Sequence, residues 1–98
     1  MTDVIDPVEA PKQVWMVERT FSEDSPHILV IIYATPDGTQ YLQKERAYNR
    51  FGSSAPEVTA AIETPTDDLV PVSDPEKRER YATEAERMMT RHDPDDAV

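Results

Sequence analysis

The sequence predicts an α+β protein: a three-stranded antiparallel β-meander followed by a short helix and a longer C-terminal helix, both packed on one face of the sheet in two layers. Three observations lead to this class. Residues 27–35 (HILVIIYAT) are apolar on both sides, which is typical of a central strand. Residues 36–38 (PDG) form a tight-turn signal that folds the chain back on itself. Residues 75–92 carry a helical apolar stripe between a start and a stop signal.

The first strand is predicted at residues 13–21, which are rich in β-branched and aromatic side chains and precede the turn-forming run SEDSP. Regular alternation would place four of these side chains on one side of the strand: Trp15, Val17, Arg19 and Phe21. The second strand is residues 27–35. Because it is apolar on both sides, both of its faces need a cover.

The third strand is predicted at residues 39–48, directly after a turn in which Pro36 presets φ and Gly38 accepts a positive φ. The same segment (TQYLQKERAY) also suits a helix, with Gly52 as its end. The strand is favoured, because the turn delivers Gln40 directly opposite the second strand.

A short helix is predicted next, over residues 55–63. Residues 54–57 (SAPE) have the spacing of a capping box, in which a hydroxyl and a carboxylate satisfy free amides at a helix start. The apolar residues Val58, Ala61 and Ile62 follow at helical spacing.

The longer helix begins near Asp74: either Asp74 or Ser73 can cap it, and Pro75 lies in its first turn. Its apolar stripe has five members: Tyr81, Ala82, Ala85, Met88 and Met89. Asp93 and Pro94 end it. One long and one short helix cannot cover both faces of the second strand, so we predict a homodimer or a protein partner that buries the remaining face.

The length of 98 residues allows one domain at most. We expect a single α+β domain at residues 12–92 between two acidic tails, residues 1–11 and 93–98, that are disordered or extended. The absence of cysteine excludes disulfides, thiolate metal sites and cysteine nucleophiles. The first residues do not resemble a signal peptide, and no segment approaches the roughly 20 apolar residues of a membrane span, so we expect a soluble, cytoplasmic protein.

The charge balance is strongly acidic. The chain has twenty acids and ten bases, a formal charge of −10. Only three of the bases are lysines. This bias is typical of proteins that work in concentrated salt and predicts a halophilic host, with an ordinary acidic protein from a GC-rich genome as the alternative. The acids concentrate in the tails and connections, whereas the predicted strands and long helix are mildly basic or close to neutral.

The most notable candidate site lies on the third strand. If residues 40–50 are extended, four side chains share one side of it as a basic stripe with one aromatic ring: Lys44, Arg46, Tyr48 and Arg50. Cations for phosphate and a ring for stacking are what a strand-based nucleic-acid binder needs. The alternative is a solvated edge strand, whose charges discourage unwanted strand pairing. The large negative charge favours that alternative.

Other residues are weaker candidates for a catalytic, metal-binding or phosphate-binding site. His27 lies beside acids and Ser25, but these are ordinary turn residues and no nucleophile motif surrounds them. The run from His92 to Asp96 and the pair Asp67 and Asp68 lack the spacing of a calcium loop. Two glycines cannot build a phosphate-binding loop. No cofactor, metal or small-molecule substrate is predicted.

The function that the sequence favours is a non-enzymatic interaction or regulatory module that presents a sheet face or the C-terminal helix to a partner. Met16, Met88 and Met89 are interpreted as core residues rather than a binding surface. On the alternative interpretation, Met88 and Met89 with Tyr81 form a partner surface, if the helix extends past the sheet. The alternative is a nucleic-acid-binding protein that uses the basic stripe of the third strand. An enzyme is the weakest hypothesis, because no convergent acid, base and nucleophile are visible.

Overall fold

The computed structural model describes residues 11–22, 28–47 and 58–98. These residues form five strands, one 3₁₀ turn and one α-helix: β1 (Lys12–Phe21), β2 (Ile28–Ala34), β3 (Gln40–Ala47), β4 (Ala61–Thr64), the turn Thr66–Asp68, β5 (Val70–Pro71) and α1 (Pro75–Arg91). The strands make one antiparallel sheet in the order β4-β1-β2-β3-β5. The predicted α+β class is confirmed, and the predicted meander forms the middle of the sheet.

The strand count and the first predicted helix are wrong. Of the predicted helix at residues 55–63, the described part is irregular at 58–60 and then enters β4, which pairs with the start of β1. Ala61 pairs with Trp15 and Ile62 with Val14, so the two apolar side chains serve opposite faces of the sheet. Strand pairing with β1 therefore overrides the helical spacing of these apolar residues. The strand has only four residues, which are too few to reveal a β period in the sequence.

A β-bulge in β1 changes which side chains share a face. Met16 pairs with Tyr33 but Glu18 pairs with Ile32, so Val17 is an extra residue. Trp15 and Arg19 consequently lie on opposite sides of the sheet, although regular alternation predicted them on the same side.

The side of the sheet that carries α1, here called the helix face, holds two core clusters. Asp74 caps α1 by accepting a hydrogen bond from Glu76 N at 3.0 Å, and Pro75 is the first helical residue, as predicted. The clusters consist of Ile32, Ala34, Val72 and Tyr81, and of Trp15, Ala60, Ala61 and Ala85. On the rim of this face Arg80 Nη2 lies 3.6 Å from Glu18 Oε1, and this exposed ion pair adds little stability.

The other side of the sheet, here called the far face, is buried at its centre without a helix. Val14, Ile31 and Tyr33 are almost fully buried there, in contact with Val58 and Leu69 from connecting segments. At the centre of the sheet, the far face therefore does not need a second molecule to cover it, contrary to the expectation from the sequence. The homodimer stays a prediction that this packing does not require.

Residues 93–98 lie against the sheet, although their acidic composition suggested a tail. Val98 N donates to Val58 O and Ala60 N donates to Asp96 O, each at 2.9 Å, and Ala97 forms an antiparallel bridge with Thr59. Free backbone groups at this edge need partners, and the last segment supplies them. The half-buried Val98 side chain packs against core clusters on both faces.

We expect Val98→Asp to lower the free energy of unfolding by about 2 kcal/mol, because it puts a carboxylate where a valine contacts two cores. Urea titration followed by the emission of Trp15, the chain's single tryptophan, measures this change. Asp95→Asn, at an exposed position of the same segment, is the control and should change stability by less than about 0.5 kcal/mol. Equal effects of the two substitutions would contradict the packing described for Val98.

The β2–β3 turn has the predicted chemistry. Gly38 has φ 75°, and its N–H donates to Thr35 O at 2.8 Å. The Oδ1 of Asp37 accepts hydrogen bonds from Thr35 Oγ1, Thr39 Oγ1 and Thr39 N at 2.7, 2.8 and 3.1 Å. These bonds, the one from Thr35 foremost, hold the pKa of the Asp37 carboxyl below its usual value.

This turn makes stability depend on pH. Because the folded-state pKa of Asp37 is lowered, its contribution is present above the unfolded value near 3.8 and is lost as pH falls through the folded value. We expect Asp37→Asn, which keeps an acceptor but removes the charge, to lower stability at pH 7 by up to about 1 kcal/mol, since the side chain is exposed. Urea titrations at pH 7 and pH 2.5 should show the difference disappearing in acid. A loss of stability in Asp37→Asn that does not depend on pH would show that the shape of the Asp37 side chain, and not its charge, stabilises the turn.

Candidate functional site

Charges on the sheet are separated by face. On the far face, every charged side chain of the described strands is a cation: Lys12, Arg19, Lys44 and Arg46. On the helix face, every charged side chain of those strands is an acid: Glu18, Glu45 and Glu63. The strand pairing establishes this, because residues that pair directly point to the same side.

Three of the cations gather at one end of the far face. Two cross-strand rows build this end: Arg19–Ile31–Lys44 and Phe21–Leu29–Arg46. Neighbouring strands lie about 4.8 Å apart and alternate residues about 6.7 Å apart, so the backbone positions of the three cations fall within roughly 12 Å. We call Arg19, Lys44 and Arg46 the basic patch. Phe21 lies beside it and is 55% exposed.

The patch is attached to a packed part of the sheet. Arg19 Nη1 donates to Val98 O at 2.9 Å, which orients its guanidinium group. Burial raises the pKa of the Tyr33 hydroxyl, while the positive charges of Arg46 and Arg19 act against this rise. Lys44 and Arg46 are exposed, and neither has a carboxylate partner among the described residues.

The stripe predicted from the sequence is found in part. The segment from Gln40 to Ala47 is a strand, so Lys44 and Arg46 share a side as predicted. Tyr48 and Arg50 lie outside the described residues. Sequence reasoning missed Arg19 and Phe21 as neighbours of this stripe, because the bulge in β1 turns both onto the far face. No local residue pattern signalled that bulge.

The other candidates that lie within the described residues show no catalytic or metal-binding arrangement. His27 and its acidic neighbours lie outside the described residues. Asp96 Oδ2 accepts from Asp93 N at 2.9 Å and lies 3.6 Å from His92 Nδ1, so it closes the turn after α1. Asp67 and Asp68 are exposed in the 3₁₀ turn. In the ranges 11–22, 28–47 and 58–98, no three His, Asp or Glu side chains converge as a metal site would require.

The apolar stripe of α1 is used by its own sheet. Tyr81 is 4% exposed, Ala85 is buried, and Met88 packs against the cluster around Trp15. Met89 alone among the large apolar side chains of α1 is strongly exposed, at 45%. The helix therefore offers a partner only a small apolar surface, and the packing of Met88 agrees with its interpretation as a core residue. No helix in the part of the chain described here has the length and apolar character needed to cross a bilayer.

Fold and site together define a small α+β protein whose five-stranded antiparallel sheet carries acids on its helix face and bases on its far face. Comparison with family models identifies the family to which this protein belongs. The chain belongs to a family of unknown function, DUF7967, whose model matches residues 8–98. No curated protein and no solved structure matches the chain.

Proposed function

We propose that this protein is a non-enzymatic interaction module that binds an acidic region of a partner protein through the basic patch. The observation that carries the proposal is the separation of charge between the faces of the sheet. In a chain of formal charge −10, four of the ten basic residues lie on the far face of the described strands, where those strands place no acid. Such a patch attracts an anionic surface and orients it.

The exposure of the patch supports a role in binding. A cation whose charge is balanced within its own protein lies near a carboxylate, as Arg80 does near Glu18. Lys44 and Arg46 are exposed and have no such partner within the described parts of the chain. As far as the described residues are concerned, their charges are available to a second molecule. The surrounding acids repel a second copy of the protein and most acidic surfaces except at the patch itself.

A partner protein is favoured over the predicted homodimer at this site. Two copies that met through their far faces would bring Arg19, Lys44 and Arg46 against the same cations of the second copy. Like charges at such an interface are unfavourable by several kcal/mol. A homodimer would therefore need a different surface, and the stripe of α1 is largely buried within the chain.

Nucleic-acid binding is the second candidate. Exposed Phe21, in the same cross-strand row as Arg46 and next to Arg19 on its own strand, supplies a ring for base stacking together with cations for phosphate. The overall charge of −10 opposes this function, because a polyanion experiences the repulsion of the whole protein over roughly a Debye length of 10 Å. A short acidic peptide carries less charge and is repelled less.

The test compares two double variants with the same change in charge. Lys44→Glu with Arg46→Glu reverses the patch, and Lys77→Glu with Arg91→Glu reverses two exposed cations of α1. The probes are fluorescein-labelled hexaglutamate and an oligothymidylate of twelve nucleotides, followed by fluorescence anisotropy. We expect hexaglutamate to bind the native protein and to lose at least about tenfold in affinity on reversal of the patch, but less than about twofold in the control.

The outcomes separate the candidates. Equal losses in the two double variants would overturn the patch as the site, since only the overall charge would then matter. Tighter binding of oligothymidylate than of hexaglutamate, abolished by Phe21→Ala, would establish the nucleic-acid function instead. No binding of either probe at low salt would contradict both.

We also propose a halophilic host, because twenty acids face ten bases of which only three are lysines. Salt screens the repulsion among the acids and should stabilise the native state. The urea midpoint should rise between roughly 0.1 M and 2 M KCl. A midpoint that falls or stays constant would contradict this proposal.

A further inference from the structure

Within the described residues, the outer edge of β3 is covered only at its beginning. β5 is two residues long and pairs with Gln40 and Tyr41 alone. Among the residues that the structure describes, no strand pairs with the outer side of β3 from Leu42 to Ala47. This edge therefore leaves backbone hydrogen-bonding groups open to another strand.

The alternation of the ladder identifies those groups. Thr35 N donates to Gln40 O at 3.0 Å, so the backbone of Gln40 points toward β2. Val72 N donates to Thr39 O at 2.8 Å, so the backbone of Thr39 points outward. Because these directions alternate along an antiparallel strand, the N–H and C=O groups of Gln43 and Glu45 also point outward.

The opposite edge of the sheet is partly closed. Ala61 N donates to Pro94 O and Ala60 N donates to Asp96 O, each at 2.9 Å, so the last segment of the chain covers the beginning of β4. Of the edges formed by described residues, β3 thus offers the longer unpaired stretch.

The side chains at this edge select what can pair with it. A residue of an added strand that lies opposite Lys44 or Arg46 points to the far face, and the residue between them lies opposite Glu45 and points to the helix face. Opposite charges at such cross-strand positions stabilise the pairing. The matching sequence therefore has acids at two alternate positions with an uncharged or basic residue between them.

We propose that the outer edge of β3 binds an extended acidic segment of a partner protein as an added antiparallel strand. The carboxylates at its alternate positions face Lys44 and Arg46, and its backbone pairs with Gln43 and Glu45. This inference rests on the proposed function and specifies its partner and geometry. Backbone pairing supplies affinity in this mode of recognition, and the alternate side chains supply specificity.

A second copy of the chain does not fit this edge. If β3 paired antiparallel with another β3 in a continuous sheet, residues of the same face would meet. Lys44 would then lie opposite Lys44 or Arg46 of the other copy, and such like-charge pairs are destabilising. A nucleic acid has no amide backbone that could extend the ladder.

The experiment uses the peptide TVDVDVT, acetylated and amidated at its ends, and its neutral counterpart TVNVNVT. Binding to the full chain is measured by isothermal titration calorimetry at low salt. We expect the acidic peptide to bind at least about tenfold more tightly than the neutral one. Lys44→Gln with Arg46→Gln should remove that difference, because the pairing charges are gone.

Two further variants test the backbone pairing. Glu45→Pro removes an outward N–H while leaving the bonds toward β2, and edge strands tolerate proline. Glu45→Thr is its control. We expect Glu45→Pro to lose at least about tenfold in affinity and Glu45→Thr to retain native binding or improve on it.

A change in the peptide avoids any dependence on the folding of a variant. In the antiparallel arrangement the central valine directs its N–H toward Glu45, whereas the first aspartate directs its N–H away. N-methylation of the central valine should abolish binding to the native protein, and N-methylation of the first aspartate should not.

The results distinguish strand addition at β3 from the more general proposal that the protein binds an anionic partner. If the charge variants weaken binding but neither Glu45→Pro nor the methylated valine does, strand addition is overturned and the anionic-partner function stands. If none of these changes weakens binding of the acidic peptide, both are overturned. Equal binding of the acidic and neutral peptides would also overturn the role of Lys44 and Arg46.

Discussion

Gly38→Ala is expected to lower the free energy of unfolding by about 3 kcal/mol or more. Gly38 has φ 75°, a left-handed conformation that costs an alanine roughly 1 kcal/mol. A Cβ atom at this position would also overlap Arg78 O and approach Ala82 N to 2.8 Å, so the tip of the β2–β3 turn meets the backbone of α1. The helix would have to lift from the sheet, since its backbone cannot rotate aside as a side chain can.

Urea unfolding followed by the emission of Trp15, which is 5% exposed, measures this loss. Gly38→Asn is the informative companion, because asparagine accepts a positive φ but also carries a Cβ atom. If the contact with α1 dominates, both variants should be destabilised to a similar degree. Near-native stability of Gly38→Asn would show that the backbone conformation, not the close approach, requires glycine.

Tyr33→Ala is the second substitution with a large expected effect, at about 3–5 kcal/mol. Tyr33 is 1% exposed and packs with Val14, Ile31 and Leu69 on the far face. Truncation leaves a cavity that neighbours on rigid strands cannot fill. Tyr33→Phe keeps the ring and should cost about 1 kcal/mol or less.

Tyr41→Ala provides the matched control for this prediction. Tyr41 is half-buried on the helix face, with its ring centroid 6.4 Å from that of Tyr81. Its truncation should cost clearly less than that of Tyr33, because more of the side chain already contacts water. Similar losses at the two positions, measured by urea titration, would contradict a far face that is packed within one chain.

Much of the fold could be predicted because some segments specify their structure locally. The turn at Asp37 and Gly38 fixed the central hairpin, and Asp74 with Pro75 fixed the start of α1. The two outer strands could not be predicted. β4 has four residues and β5 has two, which is too short for a period to emerge, and both form because β1 and β3 offer them a partner edge.

The candidate site was predictable only in part for a related reason. Lys44 and Arg46 share a face because β3 is regular, and alternation alone reveals this. Arg19 reaches the same face because Val17 is inserted as a bulge, which depends on pairing with β2. A register shift of one residue moves every later side chain to the other face, so a small irregularity decides the composition of the patch.

The way in which the last residues seal the beginning of β4 has a consequence for stoichiometry. A sheet with two open edges can add strands without end, as fibrous aggregates do. Here Pro94 covers the beginning of one edge, and the charges along β3 disfavour pairing between identical copies at the other. Copies of the chain are therefore poorly suited to add to one another, so binding at β3 should yield a complex of one to one and not a polymer of the protein itself.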